Sequence, residues 1–373
     1  MKKASVASLP LHYGKAPRWL TSRMTKLAHE MATIIVNEYG QSEFLLRISD
    51  TYWFQALGCV LGYDWHSSGV TTVLTGVLKN AVKPDLHGLA VCGGKGKASR
   101  KAPTEIAEMG EKFGFSTNRI SSLHYASRMS AKVDNTAIQA GYPLYHHAFF
   151  LAENGSWAVV QQGMSVQDRT ARRYHWLSYN LTSYIEEPHN AIVGDSIRPQ
   201  TLDMTAKQSS QCRKTSVDIA KEKPNQVEKM LESIRPTYQK SLQEWIPDAK
   251  WKTYAVDVLS MPRNINWNTL KRIYEFQPQN YEELLGIKGV GPSTVRGLAL
   301  ISELIYGNVP SWKDPVKYSF AYGGKDGVPY PVNRKAMDES IEILKHAVES
   351  AKIGEKDKIQ ALKRLKQVVP QPQ

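Results

Sequence analysis

Apolar positions recur at helical spacing over residues 18–37, where Leu20, Met24, Leu27, Met31 and Ile34 share one side, so an amphipathic helix is expected there. Pro17 stands where a first-turn proline belongs, and Gly40 lies just past the expected end. Residues 43–62 predict a second, more buried helix carrying Trp53 and Phe54, while 70–80 suit helix or strand equally. Residues 87–114 read as a short buried strand, a basic glycine-rich loop and a helix beginning near Pro103; 116–132 read as a further helix. The clearest β signal is 142–164, where two aromatic and β-branched runs flank "ENGS". Asn-Gly is the strongest short cue for a hairpin. Residues 169–186 return to a helical reading.

Residues 188–215 are polar and poor in large apolar groups, which predicts a linker or surface excursion, and helix follows from about 216 to 245 with a break at Pro224. Residues 269–307 alternate helix with glycine-rich breaks, and 311–332 are irregular and rich in Gly, Pro and Tyr. An amphipathic helix over 333–352 places Met337, Ile341, Leu344 and Val348 on one side, and a lysine-rich helix covers 355–367. The expected fold class is α+β, mainly α. An N-terminal mixed domain (1–190) would hold a small hairpin or sheet, followed by a linker and helical segment (191–250). A helical domain (251–332) and C-terminal helices (333–373) complete the expected organisation. The last helices would support a homodimer or pack on their own chain.

The 373 residues suffice for two or three domains. No apolar run reaches the ~18 residues of a membrane span, and no long apolar segment follows Lys2 and Lys3, so neither a membrane protein nor a secretory signal is expected. Cys59, Cys92 and Cys212 are far apart with no CxxC pair. This argues against a disulfide framework or cysteine zinc site and for a reducing, cytoplasmic setting. The net charge of +13 favours polyanionic partners, nucleic acid first.

That charge gives meaning to "GIKGVGPSTV" at 286–295. Leu284 and Leu285 end one helix; Val295, Leu298, Ile301 and Leu304 line the next. Gly289 and Gly291 permit a tight turn, Val290 can anchor it in the core, and Pro292 suits the first position of the second helix. Amides at such a helix start favour anions. The pattern resembles the helix-hairpin-helix motif, which implies a grip on the DNA phosphate backbone without sequence reading. Lys288, Gly289, Gly291, Ser293, Thr294 and Arg296 would make the contacts. The plain alternative is an αα-hairpin with a glycine turn.

Further basic candidates are Lys95, Lys97, Arg100 and Lys101 in "GGKGKASRK", which has neither Walker nor dinucleotide-fold spacing. Arg172 and Arg173, beside Tyr174 and Trp176, suit strand stacking or an amphipathic helix. For chemistry, Asp64 and His66 in "YDWHSSG" are candidate ligands for a divalent metal, Mg²⁺ or Mn²⁺, or parts of a helix cap. His146 and His147 face Gln161 and Gln162 across the hairpin, and period-two geometry lets only one of each share a face. His147 and Gln161, with Gly163, occupy the places of Asp and Glu-x-Lys in a nuclease core that the hairpin faintly resembles. Asp314 follows the glycine hairpin at a distance similar to that of the catalytic aspartate in a helix-hairpin-helix DNA glycosylase superfamily; a turn aspartate before Pro315 is the alternative.

The resulting expectation is a DNA-binding, metal-dependent nuclease of repair or recombination. Its metal ligands would come from Asp64, His66, His146 and His147, and its catalytic residues from Asp64, His66, His147, Gln161 and Asp314. A non-catalytic loading factor and a glycosylase are the alternatives. The stretches "LPLHYGKAPRWL", "YWFQALGCVLGYDWHSSG", "YHHAFF", "ARRYHWLS" and "DPVKYSFAYGGKDGVPYPV" are similar to a mostly archaeal, partly thermophilic bacterial family defined by a domain of unknown function. The resemblance implies a cytoplasmic prokaryotic protein with a C-terminal helix-hairpin-helix, linked to DNA processing.

Overall fold

The Asn-Gly pair does turn the chain. Gly155 adopts φ 80°, and Asn154 Oδ1 accepts a hydrogen bond from Ser156 N at 2.8 Å. The computed structural model describes residues 9, 16–63, 67–194, 197–234, 265–316 and 334–368. Its strands are β1 (Leu89–Lys95), β2 (Ile138–Gln139), β3 (Leu144–Ala152), β4 (Trp157–Ser165), β5 (Thr170–Leu177), β6 (Ala191–Gly194) and β7 (Leu202–Asp203). The main sheet runs β1-β3-β4-β5-β6 with every pairing antiparallel, and β2 pairs with β7 separately.

Helices cover both faces of this sheet. They are α1 (Arg18–Ser49), α2 (Thr51–Val60), α3 (Gly69–Ala81), α4 (Pro84–His87), α5 (Ala102–Lys112), α6 (Thr117–Thr136), α7 (Ser210–Ala220), α8 (Pro224–Ser233), α9 (Trp267–Phe276), α10 (Tyr281–Gly286), α11 (Pro292–Leu304), α12 (Arg334–Ser350) and α13 (Glu355–Val368). Successive strand residues face opposite sides. Ala148, Phe150, Ala158, Val160 and Leu177 therefore join a core with α1, α2, α3, α12 and α13. Phe149, Leu151, Val159, Tyr174 and Trp176 join another with α5 to α11. Each fully buried large side chain contributes about 1.5–3 kcal/mol. The result is an α+β fold, mainly helical.

Several local expectations change for identifiable reasons. The first helix passes through Gly40 at φ 84° and ψ 168°, a break between two helical stretches, and continues to Ser49. Asp50, accepting from Trp53 N at 2.6 Å, caps α2 and splits the helix expected over 43–62. Residues 70–80 are helix. The stretch 170–177 is strand, not helix: from Ala171 to Leu177 every residue is buried. Burial on both faces erases the alternation that marks a half-exposed strand. The expected linker at 188–215 supplies β6, β7 and the start of α7, so a boundary at 190 would fall between two paired strands. The C-terminal stripe is covered from within: Leu344, Ala347, Val348, Ala361 and Leu365 are buried against α1 and α2, which leaves these side chains no dimer face to form.

One ion pair ties the sheet to the segment after α11. Arg172 Nη1 and Nη2 donate to Asp314 Oδ1 and Oδ2 at 2.9 and 2.6 Å, and both side chains are fully buried. The Asp314 carboxylate also accepts from Arg198 N at 2.6 Å and Val316 N at 3.2 Å. Burial makes the geometry matter, because removing one partner of such a pair strands the other charge.

Two outcomes follow for stability. Asp314→Ala should lower unfolding free energy by about 3–5 kcal/mol in denaturant titration, whereas a change at exposed Lys97 should leave it within about 0.5 kcal/mol. Burial also holds the imidazoles of His146 and His87 neutral, at about 3 and about 4, far below the ordinary 6.5. In that window the unfolded chain binds more protons than the folded one, so acid opposes folding. The melting temperature, followed by circular dichroism, should be flat above pH 7 and fall steadily from pH 6.5 towards 4.

Candidate nucleic-acid interface and adjoining cavity

The chain turns between α10 and α11 at Gly289 and Val290. Asn280 caps α10 by accepting from Glu283 N at 2.9 Å. Gly289 sits at φ 101°, in the left-handed region, where an added Cβ would lie 2.5 Å from Thr269 Oγ1. Val290 is buried and bonds its turn through N–H to Ile287 O at 3.2 Å. Gly291 is different. It is extended at φ −136°, which any residue adopts, and a Cβ there would meet only Gly289 O at 3.9 Å. Neither backbone nor packing among the described residues requires glycine at 291.

No side chain caps α11, and within the described residues the amides of Gly291, Ser293 and Thr294 have no acceptor. Lys288, Gly289 and Ser293 are exposed, and Gly291 is half-buried. Thr294 is buried, and Arg296 turns inward, its Nε donating to Gln139 Oε1 at 2.8 Å and its guanidinium 5.9 Å from the Trp312 ring centre. These two therefore support the hairpin rather than face outward. Three further ties fix it. Lys132 Nζ donates to Val290 O, Arg272 Nη1 donates to Lys288 O at 3.3 Å, and Gln139 Nε2 donates to Pro292 O at 2.9 Å.

Lys132 belongs to α6, and one turn earlier the same helix walls a cavity of about 610 Å³. Arg100, His124, Ser127, Arg128, Tyr145 and His147 are among its lining. The basic loop forms one lip: residues 96–101 make a 3₁₀ turn leading into α5, with Lys95, Lys97, Arg100 and Lys101 exposed. That lip is anchored by Glu105, whose Oε2 accepts from Gly93 N and from Lys79 Nζ, both at 2.6 Å. A register shift between Leu144 and His146 leaves Tyr145 outside the ladder, at the cavity. Such bulges re-aim side chains beside sites.

The two histidines part company here. His146 pairs with Gln162 and faces α3, its Nε2 hydrogen-bonded with Thr75 Oγ1 at 3.0 Å. His147 pairs with Gln161 on the opposite face. There a chain of hydrogen bonds fixes every tautomer. Trp176 Nε1 and Gln161 Nε2 donate to Asp134 Oδ2 at 3.0 and 2.6 Å, and His189 Nε2 bonds Asp134 Oδ1. Gln161 Oε1 is thereby turned to accept from His147 Nδ1 at 2.7 Å, so His147 Nε2 bears the lone pair facing Ser127 Oγ at 2.8 Å. Burial pulls the His147 imidazole below its ordinary range, against the opposing influence of Gln161 and Asp134.

This placement corrects several expectations. His146 and His147 lie on opposite faces, as period-two geometry requires, and both ring nitrogens of His147 are engaged. Asp64 and His66 lie outside the described residues; their neighbour Ser68 accepts at its carbonyl from Gln162 Nε2 at 2.9 Å, on the His146 face. Among the described residues no three His, Cys, Asp or Glu side chains gather as metal ligands would. The nuclease-core likeness fails at Gly163, where any Cβ would sit 2.1 Å from Tyr142 O, leaving no room for a lysine. Arg172 and Arg173 are fully buried and cannot meet a phosphate. Gln55 Oε1 accepts from Arg173 Nη1 at 3.0 Å, and burial lowers that guanidinium to about 9. Asp314, sealed by Arg172, has no open side for a glycosylase reaction.

Sequence reasoning missed Ser127, Asp134 and His189. Ser127 and Asp134 are seven apart on α6, hence on one face, a signal present but unremarkable among the polar residues of that helix. His189 stood in the supposed linker. No helix among the described residues is long and apolar enough to cross a membrane. No curated protein and no solved structure matches the chain. A family model described as "Protein of unknown function (DUF763)" matches residues 5–332, and the chain belongs to that family.

Proposed function

We propose that this protein binds DNA through its backbone phosphates at the hairpin 287–294 and acts on the bound strand at the cavity beside α6. The observation that carries the reading is Gly291, a glycine that no contact among the described residues requires, at a helix start whose amides have no acceptor among those residues. A bare position there lets a phosphate oxygen approach main-chain N–H groups. Exposed Lys288 adds charge at the same point, and the net charge of +13 supplies long-range attraction. Phosphate contacts of this kind position a strand without reading its sequence.

The cavity supports a nuclease of DNA repair or recombination over a passive loading factor. About 6 Å of helix rise separates Lys132, which holds the hairpin, from Arg128 at the cavity. A strand gripped at one is within reach of the other, and a loading factor has no use for a buried Ser127–His147 pair opening on a cationic cavity.

Gly291→Val should weaken retention of duplex and single-stranded oligonucleotides at low ionic strength by about tenfold or more, equivalent to ~1.4 kcal/mol, with the melting temperature unchanged. Lys288→Ala should reduce the slope of log affinity against log salt by about 0.9. Wild-type retention by the folded Gly291→Val variant in a gel-shift titration would remove the hairpin from the account.

A further inference from the structure

A serine in the middle of a helix usually returns its hydroxyl to a carbonyl of the preceding turn. Ser130 does so, donating to Ser127 O at 3.1 Å. Ser127 Oγ instead faces His147 Nε2, on another element, at 2.8 Å. Its direction is set from behind. Trp176 can only donate, so Asp134 Oδ2 is an acceptor; Gln161 must present its NH₂ to Asp134 and its oxygen to His147. His147 is thereby held as the tautomer that accepts the Ser127 proton. Nucleophile, base and orienting group stand in the order that activates a serine hydroxyl. The pair is not sealed in the core, since Ser127 and His147 both line the 610 Å³ cavity.

The walls around them indicate the substrate. Arg100 and Arg128 are both exposed at that cavity. Arg128 Cζ lies 5.6 Å from the Tyr125 ring centre, and Tyr125 OH donates to Glu282 Oε1 at 2.5 Å. Lys95 Nζ lies 5.9 Å from the ring centre of Tyr145 at the same opening. Guanidinium groups suit the paired oxygens of a phosphate.

We infer that Ser127 is the nucleophile of a phosphate-ester-cleaving site, with His147 as its general base and Gln161 and Asp134 as positioning residues. The choice of a diester, rather than another phosphate ester, rests on the DNA-backbone reading above; the nucleophile does not. Ser127 Oγ attacks phosphorus, forming an Oγ–P bond as the bond from phosphorus to the leaving oxygen breaks. The serine proton passes to His147 Nε2 and from there to the leaving oxygen. Water then attacks the phosphoserine ester and gives a proton to His147 Nε2, the Oγ–P bond breaks, and the proton returns to Ser127. Nothing is oxidised or reduced, and Arg100 and Arg128 face the oxygens on which negative charge gathers.

The full-length protein should release p-nitrophenol from bis(p-nitrophenyl) phosphate, faster than from p-nitrophenyl phosphate or p-nitrophenyl acetate, assayed both with chelator and with Mg²⁺ or Mn²⁺. Ser127→Ala and His147→Gln should each lower kcat/KM by about 10²-fold or more. Ser127→Ala should keep the wild-type melting curve, since alanine suits a helix interior. Acid quenching of wild-type turnover followed by peptide mass spectrometry should find the p-nitrophenyl phosphate ester on Ser127, a mark that a merely structural serine would not carry. Turnover of these small esters by the wild-type protein and its retention of DNA in the gel-shift titration are separate readouts, so failure of the hairpin and failure of the nucleophile are told apart. Turnover by Ser127→Ala within threefold of wild type, an adduct elsewhere, preference for the acetate ester, or no release from either phosphate ester would each overturn the assignment.

Discussion

Helices exclude water from both faces of the five-stranded sheet, and the polar residues of β3, β4 and β5 must therefore find partners inside the protein. A buried polar group without a partner costs about 1–3 kcal/mol, and the sheet carries His146, His147, Gln161, Gln162, Arg172, Arg173 and His175 at or near full burial. This requirement, as much as apolar packing, decides which helix lies where. Thr71 and Thr75 of α3 meet Gln162 and His146. Ser127 and Asp134 of α6 meet His147 and Gln161. Asp314 meets Arg172. The same demand for satisfaction that fixes the layers also orients the imidazole at the cavity.

Much of this was legible in the chain. The Asn-Gly turn, the Pro-started α5, the hairpin with its anchoring Val290 and the α+β class all follow from local signals: turn chemistry, capping residues and helical periodicity. That only one of His146 and His147, and one of Gln161 and Gln162, can share a face follows from period two alone. Local signals fail where burial is two-sided. In β5 the sequence Arg172-Arg173-Tyr174-His175-Trp176 resembles an amphipathic helix or a strand-binding surface, because nothing local shows that a distant carboxylate pairs with Arg172 and a distant amide oxygen accepts from Arg173. Asp134 and His189, 55 residues apart, are joined only by the fold. A turn aspartate before proline at 314 likewise gives no sign of the guanidinium it will meet.

Helix α6 brings the two halves of the candidate site together. Leu123, Ala126, Met129 and Val133 bury one side of it, Ser127 and Asp134 present hydrogen-bonding groups to the sheet, and Arg128 and Lys132 serve the cavity and the hairpin. A single regular element thus sets the separation between the turn proposed to bind phosphate and a serine hydroxyl. Precision of this sort is easier to hold on a helix than on two independent loops.

The Arg172–Asp314 pair has a consequence for how the molecule is made. The partners are 142 residues apart, so a ribosome must emit most of the polypeptide before the strand holding Arg172 can acquire its carboxylate. Until then the guanidinium favours solvent, and closing the second helical layer over β5 is opposed. Final assembly of the sheet's two coverings is thereby deferred until late in synthesis, and any product ending ahead of residue 314 would emerge with that strand still wet and exposed to aberrant pairing.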